Sequence, residues 1–312
     1  MASAILAGNG RQKTVEELLC SAELPDGIHS QLTFIAVLNS FLSITAFLGN
    51  ALILIALHKE SSLHPPSKLL LRCLATTDLC VGLISEPLFV TYCMSIVNEH
   101  WNMCRYATAT GFTTANIFCG VSVLTLTAIS VDRLLALLLG LRYRQVVTLK
   151  RTYMIVITFW VVSTVISAMQ FWNPLITLWC GIIAISLCLV TSIFSYSKIF
   201  LTLRHHQNQV QDHVQQPNET NQVSIARYKK ALSSAIWLQL AMVICYLPYG
   251  VVTALAPNSG RISSVYYAWR YAFTLVFFNS SLNPIFYCWK IEEVRQAVRD
   301  TIRQVVCHCF AT

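Results

Sequence analysis

An acid placed inside a long apolar run is the first residue of this chain that demands a chemical account. Asp78 stands near the middle of the apolar stretch 68–96, where an ionised carboxylate is costly unless neighbouring groups receive it. Candidate neighbours lie in other apolar stretches. Ser122 falls in 106–137, and Asn279, Ser280 and Asn283 fall in 263–288, with 279 and 283 on one helix face. Several oxygens around one acid make a sodium site or a protonation switch. The competing reading, a snorkelling or merely paired acid, is disfavoured by the mid-run position.

Two further constellations could move or lock a helix. Asp132 and Arg133 are adjacent opposite charges closing the run 106–137; such pairs can also be plain boundary anchors. Prolines interrupt two late runs, Pro248 in Cys245-Tyr246-Leu247-Pro248 and Pro284 in Asn283-Pro284-Ile285-Phe286-Tyr287. Each removes a backbone hydrogen bond and kinks its helix, which creates a hinge. Asn283, beside the second proline, is a candidate to satisfy the freed backbone groups.

The elements that must position these residues follow from composition. Of 312 residues 55% are hydrophobic and 12% charged, about half the charged fraction of a soluble domain. The apolar residues cluster into seven runs, 31–57, 68–96, 106–137, 151–172, 175–203, 229–255 and 263–288. Each is long enough to cross about 30 Å of hydrocarbon as a helix, the conformation that satisfies its own backbone in lipid. The fourth and fifth runs are separated by little more than Asn173 and Pro174, yet 151–203 is too long for one crossing. The fold class is therefore an all-α membrane protein, a seven-transmembrane helix bundle.

Orientation follows the basic residues. With the N-terminus outside, Arg133, Arg142, Arg144, Lys150, Arg151, Lys198, Lys229 and Lys230 lie inside, while Arg105, Arg261 and Arg270 are among the few left outside. This arrangement places 1–30 as an extracellular tail, 31–289 as the seven-span membrane domain, and 290–312 in the cytosol. A basic inner face attracts anionic lipid, which accounts for the net charge of +8 without nucleic acid. Residues 1–8 are too short for a secretory signal, and Arg11 and Lys13 follow them, so the first run is expected to act as its own insertion signal.

Between the fifth and sixth runs, 204–227 is a polar inner loop. After the seventh run, Ile291, Val294, Val298, Ile302 and Val305 recur at helical spacing opposite Arg295, Arg299 and Arg303. That pattern predicts an amphipathic helix on the inner leaflet. Cys307 and Cys309 follow as candidate palmitoylation sites; the bland alternative is free thiols at a frayed end. Most other cysteines lie within runs as small apolar residues, with Cys20, Cys93 and Cys104 the outward exceptions.

Taken in order, Gly49-Asn50, Leu74-Ala75-Thr76-Thr77-Asp78, Asp132-Arg133-Leu134, Trp160, Tyr196, the Cys-x-Leu-Pro at 245–248 and the Asn-Pro-x-x-Tyr at 283–287 resemble the signature of rhodopsin-like (class A) G-protein-coupled receptors. Leu141-Arg142-Tyr143-Arg144 with Val147-Thr148 looks like the melanocortin and adenosine branch, and the short connection between the fourth and fifth runs resembles melanocortin receptors in particular. The resemblance implies a signal transducer and not an enzyme. Its partners would be an extracellular small molecule or peptide, a heterotrimeric G protein and membrane lipid, with cyclic AMP as the first output to test. No cofactor is required, and a sodium ion is implied as an allosteric ligand at Asp78, Ser122, Asn279, Ser280 and Asn283. The switch residues would be Asp132, Arg133, Tyr196, Tyr246, Pro248, Asn283, Pro284 and Tyr287.

Departures limit the transfer. Thr108 stands where the family has an outer cysteine, Cys104 lies one helical turn earlier, and no disulfide is assigned. Cys188, Tyr246 and Met242 replace the family's span-five proline, span-six tryptophan and inward aromatic. Tyr228, Lys229 and Lys230 occupy the inner start of span six, which usually carries an acid. Arg133 is thus expected to lack a span-six restraint, and basal signalling to be appreciable. Ala115 occupies the span-three position where amine receptors carry an aspartate, so a simple biogenic amine is not expected; Phe277 in place of the opsin lysine excludes retinal. The expected ligand pocket is Glu86, Phe112, Asn116, Tyr246, Tyr249, Thr253, Trp269, Arg270 and Phe273, with interfacial packing the competing role for each. A transporter or channel would show internal repeats or rings of polar residues. A receptor-like protein without signalling is the nearer alternative, because the relay residues are altered.

Overall fold

In the computed structural model, residues 19–20, 28–59, 63–212, 237, 240–255, 262–290 and 292–310 are described. Span one is the helix Ile28–Lys59. Span two runs Pro65–Val97, as Pro65–Cys80, a π-helical turn Val81–Ser85, and Glu86–Val97. Span three is Trp101–Leu139, span four Leu149–Ala168 and span five Pro174–Asp212. Span six is described over Leu240–Leu255 and span seven is Ile262–Lys290. The C-terminal amphipathic helix is Glu292–Phe310. All of the described regular structure is helical, as expected for a chain that must close its backbone hydrogen bonds inside lipid.

The π turn has a local cause. Pro87 lacks an N–H and its ring crowds the carbonyl four residues back, so the helix takes an extra residue just before it. The Glu86 N–H accordingly reaches the Val81 carbonyl, five residues back. Gly82 lies within this turn and permits close approach to span one, whose Ser43 hydroxyl donates to the Gly82 carbonyl at 2.6 Å.

Span three begins at Trp101, five residues before the apolar run starts, because spans two and three are joined by a tight turn. Glu99 adopts φ +57° there, and the His100 and Glu99 N–H groups close the carbonyls of Ser95 and Ile96 at 2.8 and 3.1 Å. Such a left-handed residue is a common way to end a helix. The early start places Cys104 in the first turn of span three, where it forms a disulfide with Cys20 across 84 positions of sequence. Thr108, at the position where the family cysteine was sought, has its hydroxyl 3.5 Å from the Cys20 sulfur. Cys104 is therefore cross-linked after all, through the N-terminal tail instead of through a loop between spans four and five.

Spans four and five are joined by the 3₁₀ turn Met169–Phe171 and Trp172 and Asn173. Span four buries Thr152, Ser163 and Ser167 and exposes Val161 and Val165, and span five buries Cys188, Ser192 and Ser195 and exposes Leu187 and Val190, the pattern of helices with a broad apolar face toward lipid. Spans one, two, three and seven form the dense side of the bundle, with Leu74, Val81, Phe277 and Tyr287 among its most buried side chains. A Cβ at Gly82 would lie 2.8 Å from the Phe47 nitrogen and 2.9 Å from the Ser43 carbonyl oxygen. Gly82→Ala must push two backbones apart and is expected to lower thermal stability in detergent by about 1–3 kcal/mol. Gly181→Ala, which meets nothing within 4 Å, should leave the unfolding temperature unchanged.

Candidate functional site

Asp78 is fully buried and is held by three side chains from two other spans. Ser122 of span three and Ser280 of span seven donate to Oδ1 at 3.2 and 2.9 Å, and Asn283 Nδ2 donates to Oδ2 at 2.7 Å. The structure thus brings Ser122, Ser280 and Asn283 together on the acid. Asn279 does not join them directly; its two amide atoms are buried with no hydrogen-bond partner among the described residues. The Oδ1 atoms of Asn279 and Asn283 both lack donors. A carboxylate, hydroxyl oxygens and uncommitted amide oxygens form a donor set suited to a hard cation such as sodium.

The proline beside Asn283 is satisfied from an unexpected direction. Pro284 cannot donate to the Ser280 carbonyl four residues back. Asn50 of span one supplies that bond instead, its Nδ2 donating to the Ser280 carbonyl oxygen at 3.0 Å. Gly49 makes the approach feasible, since a Cβ there would lie 3.0 Å from Pro284 Cγ. Asn283, the sequence candidate for this role, is turned to Asp78.

At the inner end of span three, Asp132 Oδ2 receives Arg133 Nη2 at 2.9 Å and the Ser67 hydroxyl at 2.8 Å. Its Oδ1 receives the Tyr143 hydroxyl at 2.6 Å. Ser67 opens span two and Tyr143 opens the short helix Tyr143–Val146, so three elements converge on one carboxylate. Burial, followed by the bond to Asp132, pushes the Tyr143 hydroxyl up to about 12, and it stays a donor through the physiological range. The Tyr143 ring packs on His64 with centroids 5.0 Å apart. Burial lowers the His64 pKa, against the opposing pull of Asp132 and in concert with Arg144 and Arg133.

Tyr196 of span five meets the Ser130 hydroxyl at 2.8 Å. Tyr287 is buried, and its hydroxyl has no hydrogen-bond partner among the described residues. Tyr246 and Met242 lie side by side in the apolar core, and Pro248 is half-buried. Tyr228, Lys229 and Lys230 lie outside the described residues, as do the side chains of Cys307 and Cys309.

On the outer side, Phe112, Tyr249, Trp269 and Phe273 form a ring stack, Phe273 lying 5.6 Å from Phe112, 5.7 Å from Tyr249 and 5.2 Å from Trp269. Phe89 and Phe277 extend it, at 5.3 and 4.8 Å from Phe273. A narrow crevice beside the stack is lined by residues of spans two, three and seven. The remaining candidates are engaged by neighbours or buried. Asn116 donates to Gln170 at 3.0 Å and is thereby tied to the end of span four. Thr253 donates to the Tyr249 carbonyl of its own helix at 2.6 Å. Arg270 is buried against Tyr92, donating to its hydroxyl at 2.8 Å. Glu86 is buried in span two.

Ser67, Gln170 and Cys20 escaped the sequence reading as partners because each acts across 54 to 84 positions of sequence. Tyr143 was visible within Leu141-Arg142-Tyr143-Arg144; its turn toward Asp132 was not.

Known proteins resemble this chain. Residues 49–174 and 169–287 match the seven-transmembrane receptor (rhodopsin family) pattern. The muscarinic acetylcholine receptor M3 of Rattus norvegicus is 32% identical over 157 residues, covering 50% of this chain and 25% of that receptor's own length. The adenosine receptor A3 of Ovis aries is 24% identical over 298 residues, covering 86% of this chain and 88% of that one. The trace amine-associated receptor 9 of Homo sapiens is 26% identical over 304 residues, with 87% and 83% covered. Squid rhodopsin superposes with a TM-score of 0.76 at 18% identity, covering 93% of this chain and 89% of that one, a likeness of fold.

The Asn50 bond yields a paired test. Asn50→Leu leaves a buried carbonyl without a donor and should cost about 1–3 kcal/mol in thermal unfolding. Pro284→Ala in the same background returns an N–H to position 284, within its own helix's reach of the Ser280 carbonyl. Part of the lost stability should then be recovered, and a double-mutant cycle reads the coupling.

Proposed function

The chain belongs to the rhodopsin family of seven-transmembrane receptors, and from that premise we propose that it is a G-protein-coupled receptor of the plasma membrane. It binds an extracellular small molecule or peptide among the outer halves of its helices and activates a heterotrimeric G protein at its inner face. The observation that carries this reading is the Asp132–Arg133 pair, shut at 2.9 Å and braced by Ser67 and Tyr143. A cation of span three held at the inner boundary is a latch whose release exposes Arg133 to a cytosolic partner. Ligand binding shifts the balance between shut and open forms in proportion to its preference for one of them.

Sodium enters as a modulator of the shut form. Asp78, Ser122, Ser280 and Asn283 supply a charged, oxygen-rich centre that joins spans two, three and seven. An ion there would favour the arrangement that keeps those spans together. The mechanism itself is a rearrangement of hydrogen bonds; no covalent step is required. The cyclic AMP output belongs to this proposal through the resemblance to adenosine receptors.

The test is a G-protein activation assay on the full chain, with cyclic AMP as a second readout. The ligand-free chain should signal above empty cells, and Arg133→Ala should reduce the signal to the empty-cell level. Tyr143→Phe removes one donor from Asp132, leaves the carboxylate more dependent on Arg133, and should lower ligand-free activation by up to roughly tenfold. Retained activation in Arg133→Ala would overturn the role of Arg133, and an unsubstituted chain indistinguishable from empty cells would overturn the reading in favour of a receptor-like protein without signalling. Replacing sodium with N-methylglucamine should raise ligand-free activation, and Asp78→Asn should remove that sensitivity.

A further inference from the structure

Span two carries a second acid whose surroundings differ from those of Asp78. Glu86 is fully buried, and neither of its carboxylate oxygens has a hydrogen-bond partner among the described residues. An unpaired carboxylate is among the costliest groups to bury in a membrane helix.

The π turn sets the direction of Glu86. In an uninterrupted α-helix positions 78 and 86 would be rotated by about 80° from one another. The turn Val81–Ser85 absorbs one extra residue, so Glu86 takes the place of a residue seven positions on. That is about 20° short of two full turns, the face that carries Asp78.

Contact with span three sets its depth. The Ser85 hydroxyl donates to Thr114 Oγ1 at 3.2 Å, and Glu86 and Ala115 are the next residues on their respective helices. With a rise of about 1.5 Å per residue, the two lie within about 3 Å of one another in depth. Ala115 is the position whose missing aspartate argued against an amine ligand. An acid is nevertheless available at that level of the membrane, on the neighbouring span.

The rings beside Glu86 suit an organic cation on the side away from Tyr92, whose hydroxyl already holds the buried Arg270 guanidinium. The crevice itself is only about 10 Å³, so a ligand must part these rings to reach Glu86. Ser85, Phe89 and Tyr92, which flank Glu86 on span two, line the crevice together with Gly111, Phe112 and Phe273. The stacked rings of Phe89, Phe112 and Phe273 offer π faces that attract ammonium groups and pack against an apolar remainder.

We propose that Glu86 is the counter-ion for a ligand bearing a protonated amine on an aromatic body, received beside the crevice between spans two, three and seven. The proposal rests on reading the chain as a ligand-binding receptor and supplies the chemical class of its ligand. The ammonium donates to the carboxylate oxygens that accept nothing from the described residues.

The test is binding, so that it stands apart from G-protein coupling. Full-length protein purified in detergent is titrated with 2-phenylethylamine, tyramine and tryptamine while its unfolding temperature is followed. Each amine is paired with its neutral counterpart, 2-phenylethanol, tyrosol and tryptophol. At least one amine should raise the unfolding temperature in a saturable way and its alcohol should not. Glu86→Gln should weaken that amine by about 30-fold or more while retaining a cooperative unfolding transition without ligand. An unchanged amine response in Glu86→Gln overturns the proposal, as does an equal response to amine and alcohol or no response to any of the three amines. The amine and alcohol comparison on the unsubstituted chain decides the matter if Glu86→Gln does not fold. Stabilisation by an amine without G-protein activation would support this inference and overturn the signalling reading.

Discussion

A carboxylate in hydrocarbon must be surrounded, and this bundle is organised around meeting that demand for Asp78. Its two oxygens take hydrogen bonds from Ser122, Ser280 and Asn283, which obliges spans three and seven to meet span two at one depth. Because Asn283 is committed there, the carbonyl freed by Pro284 has to be served by another helix. Asn50 serves it, and span one is fixed against span seven where Gly49 leaves room for the proline ring. A cost at one residue thus determines the relations among four helices. Such a centre is stable in one packing arrangement and is disturbed by movement of any one of those helices.

The inner face repeats the logic with a different balance. Asp132 has two hydroxyl donors in addition to Arg133, so its charge stays solvated by protein groups if the arginine leaves. Arg133 is one-third exposed, and water can receive it. A pair with these surroundings opens at far lower cost than one whose partners are both buried. The hydrogen-bonded acid at the membrane boundary therefore fits the proposed latch, whereas the fully buried acid at the centre ties three helices together. The outer side is built mainly from ring contacts, with the Cys20–Cys104 disulfide tying the tail to span three.

Most of the fold was legible in the chain because the bilayer supplies a one-dimensional rule. Length and apolarity located the helices, and seven crossings with a terminal amphipathic helix agree with the rhodopsin-family match. Element ends differed where a local turn intervened, as at Glu99 and Trp101, and where span five runs on as helix to Asp212, nine residues into the polar stretch expected to be a loop. Asp78 and its three donors were also legible, since polar residues stand out against apolar runs. Asn116, Thr253 and Arg270 illustrate the opposite case. Each has a polar side chain on an outward half-helix, and each is engaged by a neighbour that residue type alone does not reveal.

What the sequence determined by itself was the solvent, the helical conformation and the identities of the costly groups, because those depend on composition and on spacing along one helix. Tertiary structure decided which donor serves which acceptor: Asn50 and not Asn283 for Pro284, Cys20 for Cys104, Tyr143 and Ser67 for Asp132. It also decided where Glu86 lies, since the π turn shifts the outer half of span two by one residue. Pairing depends on the rotation and depth of one helix against another. Those variables are set by side chains far apart in sequence, and a one-residue shift changes the face that a helix presents.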